Sequence, residues 1–226
     1  MYKHLLFDLD NTLLDFNKAE YKGFINVLKS YDIDFTDELF HKYEIINSEL
    51  WKALEKGVVT KDFVQSQRFE SFFKGIGLIV DGSEANRRYQ SELKNQSWLM
   101  PGALELTSIL FNQGYTISVI TNGVGETQKM RVANSAIKDY ISYLFISEEI
   151  GVEKPNPYFF ERVLFAIGMP PKEECLIIGD SLSSDISGGE NFGIDTCYFN
   201  VSSTPLSNNI NPTYVINDLQ ELLDIL

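Results

Sequence analysis

Four short segments of the chain hold residue types that together can handle a phosphoryl group. They are Asp8-Leu9-Asp10-Asn11-Thr12, Thr121-Asn122-Gly123, Lys154-Pro155, and Gly179-Asp180-Ser181 with Asp185. They offer carboxylates, a hydroxyl, backbone amides in a glycine turn and one ammonium. Asp8, Asp10, Asp180 and Asp185 carry −4 and Lys154 returns +1. Two like charges ~4 Å apart repel by about 4 kcal/mol at an effective dielectric of about 20, so the cluster calls for a cation. An all-oxygen acidic site suits Mg²⁺. With Mg²⁺ bound and one carboxyl protonated, the charges cancel and a dianionic phosphate can approach. The residues thus point to a metal and a phosphorylated ligand together.

The chemistry divides into roles. A carboxylate can attack phosphorus and form an aspartyl-phosphate. A second acid can protonate the leaving oxygen and then take a proton from water. Positions i and i+2 of a strand share a face, so Asp8 and Asp10 both face a substrate wherever strand geometry persists. Thr121 and the amides around Asn122 and Gly123 can hold phosphoryl oxygens. Lys154 can neutralise charge spread over the phosphoryl group and the nucleophile.

The elements that must position these residues are legible as periodicity. A short apolar run over 5–7 reads as a buried strand ending at Asp8. Residues 17–95 then read as successive helices: Phe24, Val27, Leu28 and Tyr31 share one helical face. Thr36 and Thr60 are N-caps, and Gly57 is a helix stop. After Pro101-Gly102 helix and strand alternate. Helices are predicted over 104–112, 126–136, 157–167 and 185–191. Strands are predicted over 115–120, 144–147, 175–178, 196–199 and 214–216. Asn156-Pro157 supplies an N-cap followed by proline at the first helical position. Such alternation implies an α/β fold: a Rossmann-like parallel sheet with helices on both faces. The helical block is then a bundle inserted after the first strand. In open sheets of this kind, ligands bind beyond the carboxyl ends of the strands, so the four segments converge.

Competing readings are plainer. An EF-hand loop starting at Asp8 needs Gly at its sixth position and Glu at its twelfth, but these are Leu13 and Ala19. Lys154 alone reads as a solvated lysine, and Asp185 caps its helix as readily as it supports a metal. No Walker A sequence exists, and His4 and His41 have no ligand-like spacing. Trp51, Phe69 and Phe72 read as bundle core before they read as base-stacking residues. Cys175 and Cys197 lie on apolar strands, form no metal knuckle and read as buried packing residues.

The ordered set of D-x-D-x-T, the Thr of Thr121-Asn122-Gly123, Lys154 and G-D-S-x-x-x-D resembles the haloacid dehalogenase superfamily of phosphohydrolases, without departures from its four motifs. The resemblance implies Asp8 as nucleophile and Asp10 as general acid/base. It implies Mg²⁺ on Asp8, on the Asp10 backbone carbonyl and on Asp180, with Asp185 supporting. It also implies a catalytic core of residues 1–14 and 98–226 and a helical cap of residues 15–97. The stretches Leu50-Trp51, Arg68-Phe69-Glu70-Ser71, 146–152 and 185–189 are similar to the bacterial pyrimidine 5′-nucleotidases. That similarity implies a small phosphorylated metabolite, a nucleoside monophosphate, as substrate. Phe16 and Asn17, just after the first motif, are candidates for specificity. The alternatives are a sugar-phosphate phosphatase or phosphomutase on the same scaffold and, outside enzymes, a phospho-acceptor module of the signalling-receiver kind. Receivers are about half this length and lack a helical insertion.

Composition bounds the reading. Of 226 residues, 44% are hydrophobic and 23% charged, which argues against a disordered, collagen-like or coiled-coil chain. The chain carries 19 basic and 32 acidic residues, a formal −13, so nucleic acid polymers and anionic membranes are disfavoured partners. The excess is uneven: residues 15–97 hold 14 acids and 12 bases, and the remainder holds 18 acids and 7 bases. The nearly neutral part is the one read as a lid over an anionic ester. The apolar start meets Asp8 too soon for a signal peptide, and no uncharged run approaches the ~18 residues of a membrane span. The expectation is a cytoplasmic monomer or weak homodimer.

Overall fold

The computed structural model describes residues 1–201, 203, 206 and 209–226. The chain divides into two compact units, Met1–Phe16 with Ser97–Leu226, and Asn17–Gln96.

The first unit is α/β. Its strands are β1 (His4–Phe7), β2 (Thr116–Thr121), β3 (Tyr143–Ile146), β4 (Cys175–Gly179), β5 (Asp195–Phe199) and β6 (Tyr214–Ile216). They form one parallel sheet in the order β3-β2-β1-β4-β5-β6. β1 is flanked by β2, with Leu5 beside Ile117, and by β4, with Leu5 beside Leu176. The chain builds outward from β1 to β3 on one side, then crosses back to β4 on the other. That reversal opens a crevice at the carboxyl ends of β1, β2 and β4.

Side-chain alternation sorts the strands between two cores. Leu5, Phe7, Ile117, Val119, Leu176 and Ile178 pack on one face with α5 (Ala103–Asn112) and the C-terminal 3₁₀ turn Leu219–Asp224. Leu6, Ile120, Cys175 and Ile177 pack on the other with α8 (Pro157–Ala166) through Phe159, Phe160 and Val163. Strands buried on both faces explain the continuous apolar runs of the sequence. The two cysteines are free and buried, and burial pushes their thiols up to about 11 at Cys175 and about 12 at Cys197, so both stay protonated and inert.

The second unit consists of α1 (Phe16–Lys29, its first residue in the other unit), α2 (Asp37–Glu55), α3 (Lys61–Gly75) and α4 (Gly82–Leu93). Thr36 and Thr60 accept hydrogen bonds from Leu39 N and Phe63 N, each at 3.3 Å, and cap α2 and α3 as expected from sequence. α2 stops at Glu55, with Gly57 in the left-handed region. The core is aromatic: Tyr43 stacks on Phe24 (4.7 Å between ring centroids) and Phe69 (5.4 Å), and Phe72 and Phe73 pack edge to face. Phe69 and Phe72 are thus core residues, as their spacing predicts.

Some boundaries differ from the sequence reading. β3 ends at Ile146, and Ser147 opens a single helical turn, α7 (Ser147–Ile150), that Gly151 closes with φ 91°. The helix expected from residue 185 is a π-helical turn over Leu182–Ile186 followed by α9 (Ser187–Phe192).

Candidate active site

The first motif is a strand end that turns at once. Asp8 N donates to Ile178 O at 2.8 Å, carrying the pairing with β4 one residue past Phe7. Leu13 N and Leu14 N then both donate to Leu9 O, and Asn11 N donates to Leu14 O. Asn11 takes φ 58°, a left-handed conformation that asparagine tolerates. Leu9, Leu13 and Leu14 are fully buried and pin the turn. β1 ends at Phe7, Asp10 forms a single bridge with Leu14, and strand spacing alone does not fix where the Asp10 carboxylate goes. Helix α6 (Gly125–Ala133) does: Gln128 Nε2 donates to Asp10 Oδ2 at 2.6 Å, and Arg131 Nη1 pairs with Asp10 Oδ1.

Lys154, 1% exposed, is the hub of the buried charges. Its ammonium donates to Asp8 Oδ1 (2.7 Å), Asp185 Oδ1 (2.6 Å) and Ile120 O (2.8 Å), which uses all three of its protons. The Asn122 side chain braces the lysine rather than facing outward. Its Oδ1 accepts from Lys154 N (2.8 Å) and its Nδ2 donates to Lys154 O (2.9 Å). Asp185 is fully buried, and its Oδ2 accepts from Ser181 N at 3.2 Å. A Cβ at position 179 would overlap this carboxylate, which is why glycine ends β4. Asp185 is therefore an ion-pair partner inside the site, more than a helix cap.

Thr121 ends β2, and its Oγ1 accepts from Gly123 N (3.1 Å) and Gln128 Nε2 (3.0 Å). That leaves its hydroxyl proton to donate to a bound anion. Glycine at 123 again answers a close approach, since a Cβ there would overlap the Gln128 amide. Thr12 Oγ1 lies 3.5 Å from Asp180 Oδ1, at the limit of a hydrogen bond. Of the two residues after the first motif, Phe16 lies with its ring 5.4 Å from the Arg131 guanidinium carbon. Asn17 is exposed on α1 in the other unit.

Electrostatics fit a cation. Asp8, Asp180 and Asp185 each present a carboxylate oxygen within 4.8 Å of the others. Burial raises the Asp8 carboxyl well above its ordinary range; Lys154 opposes the rise and Asp185, Asp180 and Asp10 add to it. Asp180 is pushed up to about 7 by loss of water and then by Asp185 and Asp10, with Lys154 again opposing. Burial alone would lower Lys154, but Asp185 and Asp8 outweigh it and hold the ammonium charged. One lysine thus leaves the carboxylates short of positive charge. The donors are hard oxygens, the set that Mg²⁺ takes.

Gln128 and Arg131 are the residues that sequence reasoning missed. Their signal is weak: two polar residues at i, i+3 on the helix that follows Thr121-Asn122-Gly123. An arginine on a helix ordinarily reads as solvated, whereas Arg131 is 1% exposed.

The profile of the haloacid dehalogenase-like hydrolases matches residues 5–199. The chain belongs to this hydrolase family. Among haloacid dehalogenase-like relatives, it is 38% identical to pyrimidine 5′-nucleotidase PynA of Streptococcus pneumoniae, over 100% of this chain and 95% of that one. It is 32% identical to pyrimidine 5′-nucleotidase YjjG of Escherichia coli, over 98% and 96%. The magnesium-bound crystal structure of the HAD-hydrolase YfnB from Bacillus subtilis superposes with a TM-score of 0.95 at 38% identity, covering 100% of this chain and 98% of that one. An L-2-haloacid dehalogenase from Xanthobacter autotrophicus shares the fold alone, with a TM-score of 0.78 at 18% identity. Membership of a hydrolase family removes the support for a signalling receiver.

Proposed function

We propose that the protein hydrolyses a pyrimidine nucleoside 5′-monophosphate through an aspartyl-phosphate on Asp8. The enzyme is a phosphatase of the haloacid dehalogenase-like family. The observation that carries the reading is the buried Asp8 carboxylate, 2.7 Å from the Lys154 ammonium, at the carboxyl end of the central strand and among oxygens that fit a divalent cation.

In this reading Asp8 attacks phosphorus, and the ester oxygen leaves with a proton from Asp10. Water then attacks the aspartyl-phosphate and gives its proton to Asp10, which releases phosphate and restores Asp8. Thr121 Oγ1 and the amides of the Asn122-Gly123 turn hold the phosphoryl oxygens, and Lys154 fixes the Asp8 carboxylate and offsets developing charge. Asp8, Asp180 and the Asp10 backbone carbonyl would hold Mg²⁺, with Asp185 supporting. Bound there, Mg²⁺ supplies the positive charge that admits a dianionic ester. In this reading residues 1–16 and 97–226 are the catalytic core, and residues 17–96 are a cap that selects the substrate. The pyrimidine nucleotide choice is supported by the names of the two nucleotidase relatives. No helix among the described residues is long and apolar enough to cross a membrane.

The test is phosphate release with Mg²⁺ across UMP, dUMP, dTMP, purine nucleotides and sugar phosphates. Preference for the pyrimidine nucleotides is expected, and a flat or sugar-biased profile overturns the substrate assignment. Asp8→Asn should lower turnover by about 10⁴-fold or more with the fold intact; ordinary phosphate release by that variant overturns the nucleophile. EDTA should silence the enzyme and Mg²⁺ restore it.

A further inference from the structure

We propose that Gln128 and Arg131 of α6 are positioning residues that clamp the Asp10 carboxylate in the orientation its proton transfers require. The proposal rests on the phosphatase reading, since it assigns a role to groups that hold the proposed acid/base.

Both oxygens of Asp10 are held from one helix: Oδ2 by Gln128 Nε2 at 2.6 Å and Oδ1 by Arg131 Nη1. The turn that carries Asp10 is fixed by its backbone and by the buried leucines on either side, which set the Cα but not the carboxylate plane. Two donors on two oxygens set that plane. The same Gln128 Nε2 also donates to Thr121 Oγ1 at 3.0 Å. One amide therefore fixes the spacing between the acid/base and the hydroxyl that faces the phosphoryl oxygens.

The clamp is itself braced. Arg131 Nη1 donates to Gln128 Oε1 at 3.0 Å, and the guanidinium lies 5.4 Å from the Phe16 ring. The Arg131 carbonyl accepts from Ser97 Oγ at 2.8 Å. The start of α6 is anchored by Glu148, whose Oε2 accepts from Gly125 N at 2.8 Å. Each carboxylate oxygen has a second lone pair, so Asp10 can carry or accept a proton without breaking the clamp. A buried arginine could pair with any nearby acid. Here it pairs with the one two residues beyond Asp8, together with a glutamine that reaches a second functional group.

The role predicts a dependence on the leaving group. A nucleoside 5′-oxygen departs poorly without a proton, whereas p-nitrophenolate departs well without one. Loss of the clamp should therefore slow phosphorylation of Asp8 by a nucleotide far more than by p-nitrophenyl phosphate.

The experiment uses the full chain with Mg²⁺ and rapid mixing, comparing wild type with Gln128→Met, Arg131→Met and Arg131→Lys on UMP and p-nitrophenyl phosphate. Each Met variant should slow phosphorylation by UMP about 30- to 100-fold while KM for UMP stays within about 3-fold. The p-nitrophenolate burst should slow by less than about 3-fold in Arg131→Met and by less than about 10-fold in Gln128→Met, which also loses the Thr121 contact that serves both esters. Arg131→Lys should recover part of the rate on UMP. Equal losses on both esters, or no loss on UMP, overturn the proposal. Where Arg131→Met does not fold, Gln128→Met decides, because it removes one neutral donor and keeps the ion pair. A wild type inert towards every ester overturns the phosphatase reading, and the clamp with it. An active wild type with clamp variants blind to the leaving group overturns the clamp alone.

Discussion

Lys154 in the α/β unit and Arg68 in the helical unit are both 1% exposed, yet they are compensated in opposite ways. Lys154 meets two carboxylates and a carbonyl directly. Arg68 meets neutral groups: Nη1 donates to Asn47 Oδ1 at 3.4 Å, Nη2 donates to Asn86 Oδ1, and the guanidinium lies 4.5 Å from the Tyr89 ring and 5.4 Å from that of Phe69. Asn47 Nδ2 in turn donates to Glu20 Oε1 at 2.7 Å, so an amide stands between the guanidinium and that acid. The first arrangement concentrates opposite charges at strand ends, where a ligand can exchange with them. The second spreads charge through amides and rings inside a helical core, where it specifies packing. Burial of a cation alone does not mark a reacting centre. Direct contact with carboxylates that are themselves short of positive charge does.

Lys154→Met tests the first half of this contrast and should have the largest effect. It leaves Asp8 and Asp185 without their cation and should lower kcat by about 10²- to 10³-fold, measured with saturating Mg²⁺. A variant with wild-type kcat would put Lys154 on the same footing as Arg68. Arg68→Met tests the other half. It should lower unfolding stability by about 1–3 kcal/mol in chemical denaturation, because the amide acceptors of Asn47 and Asn86 lose their donor. Its kcat on p-nitrophenyl phosphate should stay within about 3-fold of wild type. A loss of rate at full stability would break the contrast.

The last test is a pH dependence of stability in the metal-free protein. Asp180 sits at about 7 when folded, against 3.8 ordinarily. A carboxyl raised by folding adds stability while protonated. That contribution is whole below the unfolded value and is lost as pH rises through the folded one. The Tm of metal-free protein should therefore fall from about pH 5 to about pH 8, less steeply in Asp180→Asn, and Mg²⁺ should reverse the fall. A Tm that rises over this interval in EDTA would show that the cluster tolerates its charge without a cation.

The parallel sheet was legible because most of its strands are short apolar runs followed by glycine, asparagine or aspartate, and because Thr36, Thr60 and Asn156 cap the helices they precede. The acidic segments were legible for the same reason, since a parallel sheet gathers its strand ends. Three features were not. The turn at Asn11, directly after Asp10, has no glycine to announce it. The link from Asp10 to Gln128 and Arg131 joins positions far apart in sequence, and no periodicity encodes such a pair. Asn122 reads as a phosphate-binding turn residue, while its side chain braces Lys154 by two bonds that only the folded backbone reveals.

The place of β1 in the sheet also bears on how the molecule is made. β1 is synthesised long before its two neighbours: His4 lies beside Thr116 on one side and Cys175 on the other. At about 5–20 residues per second, the strand that carries Asp8 waits many seconds for its second partner. A nascent chain that stops before residue 175 holds Asp8 and Lys154 but neither Asp180 nor Asp185. The acidic cluster is therefore complete only once residues 180–185 have emerged, and a shorter nascent chain lacks oxygens proposed to hold a cation.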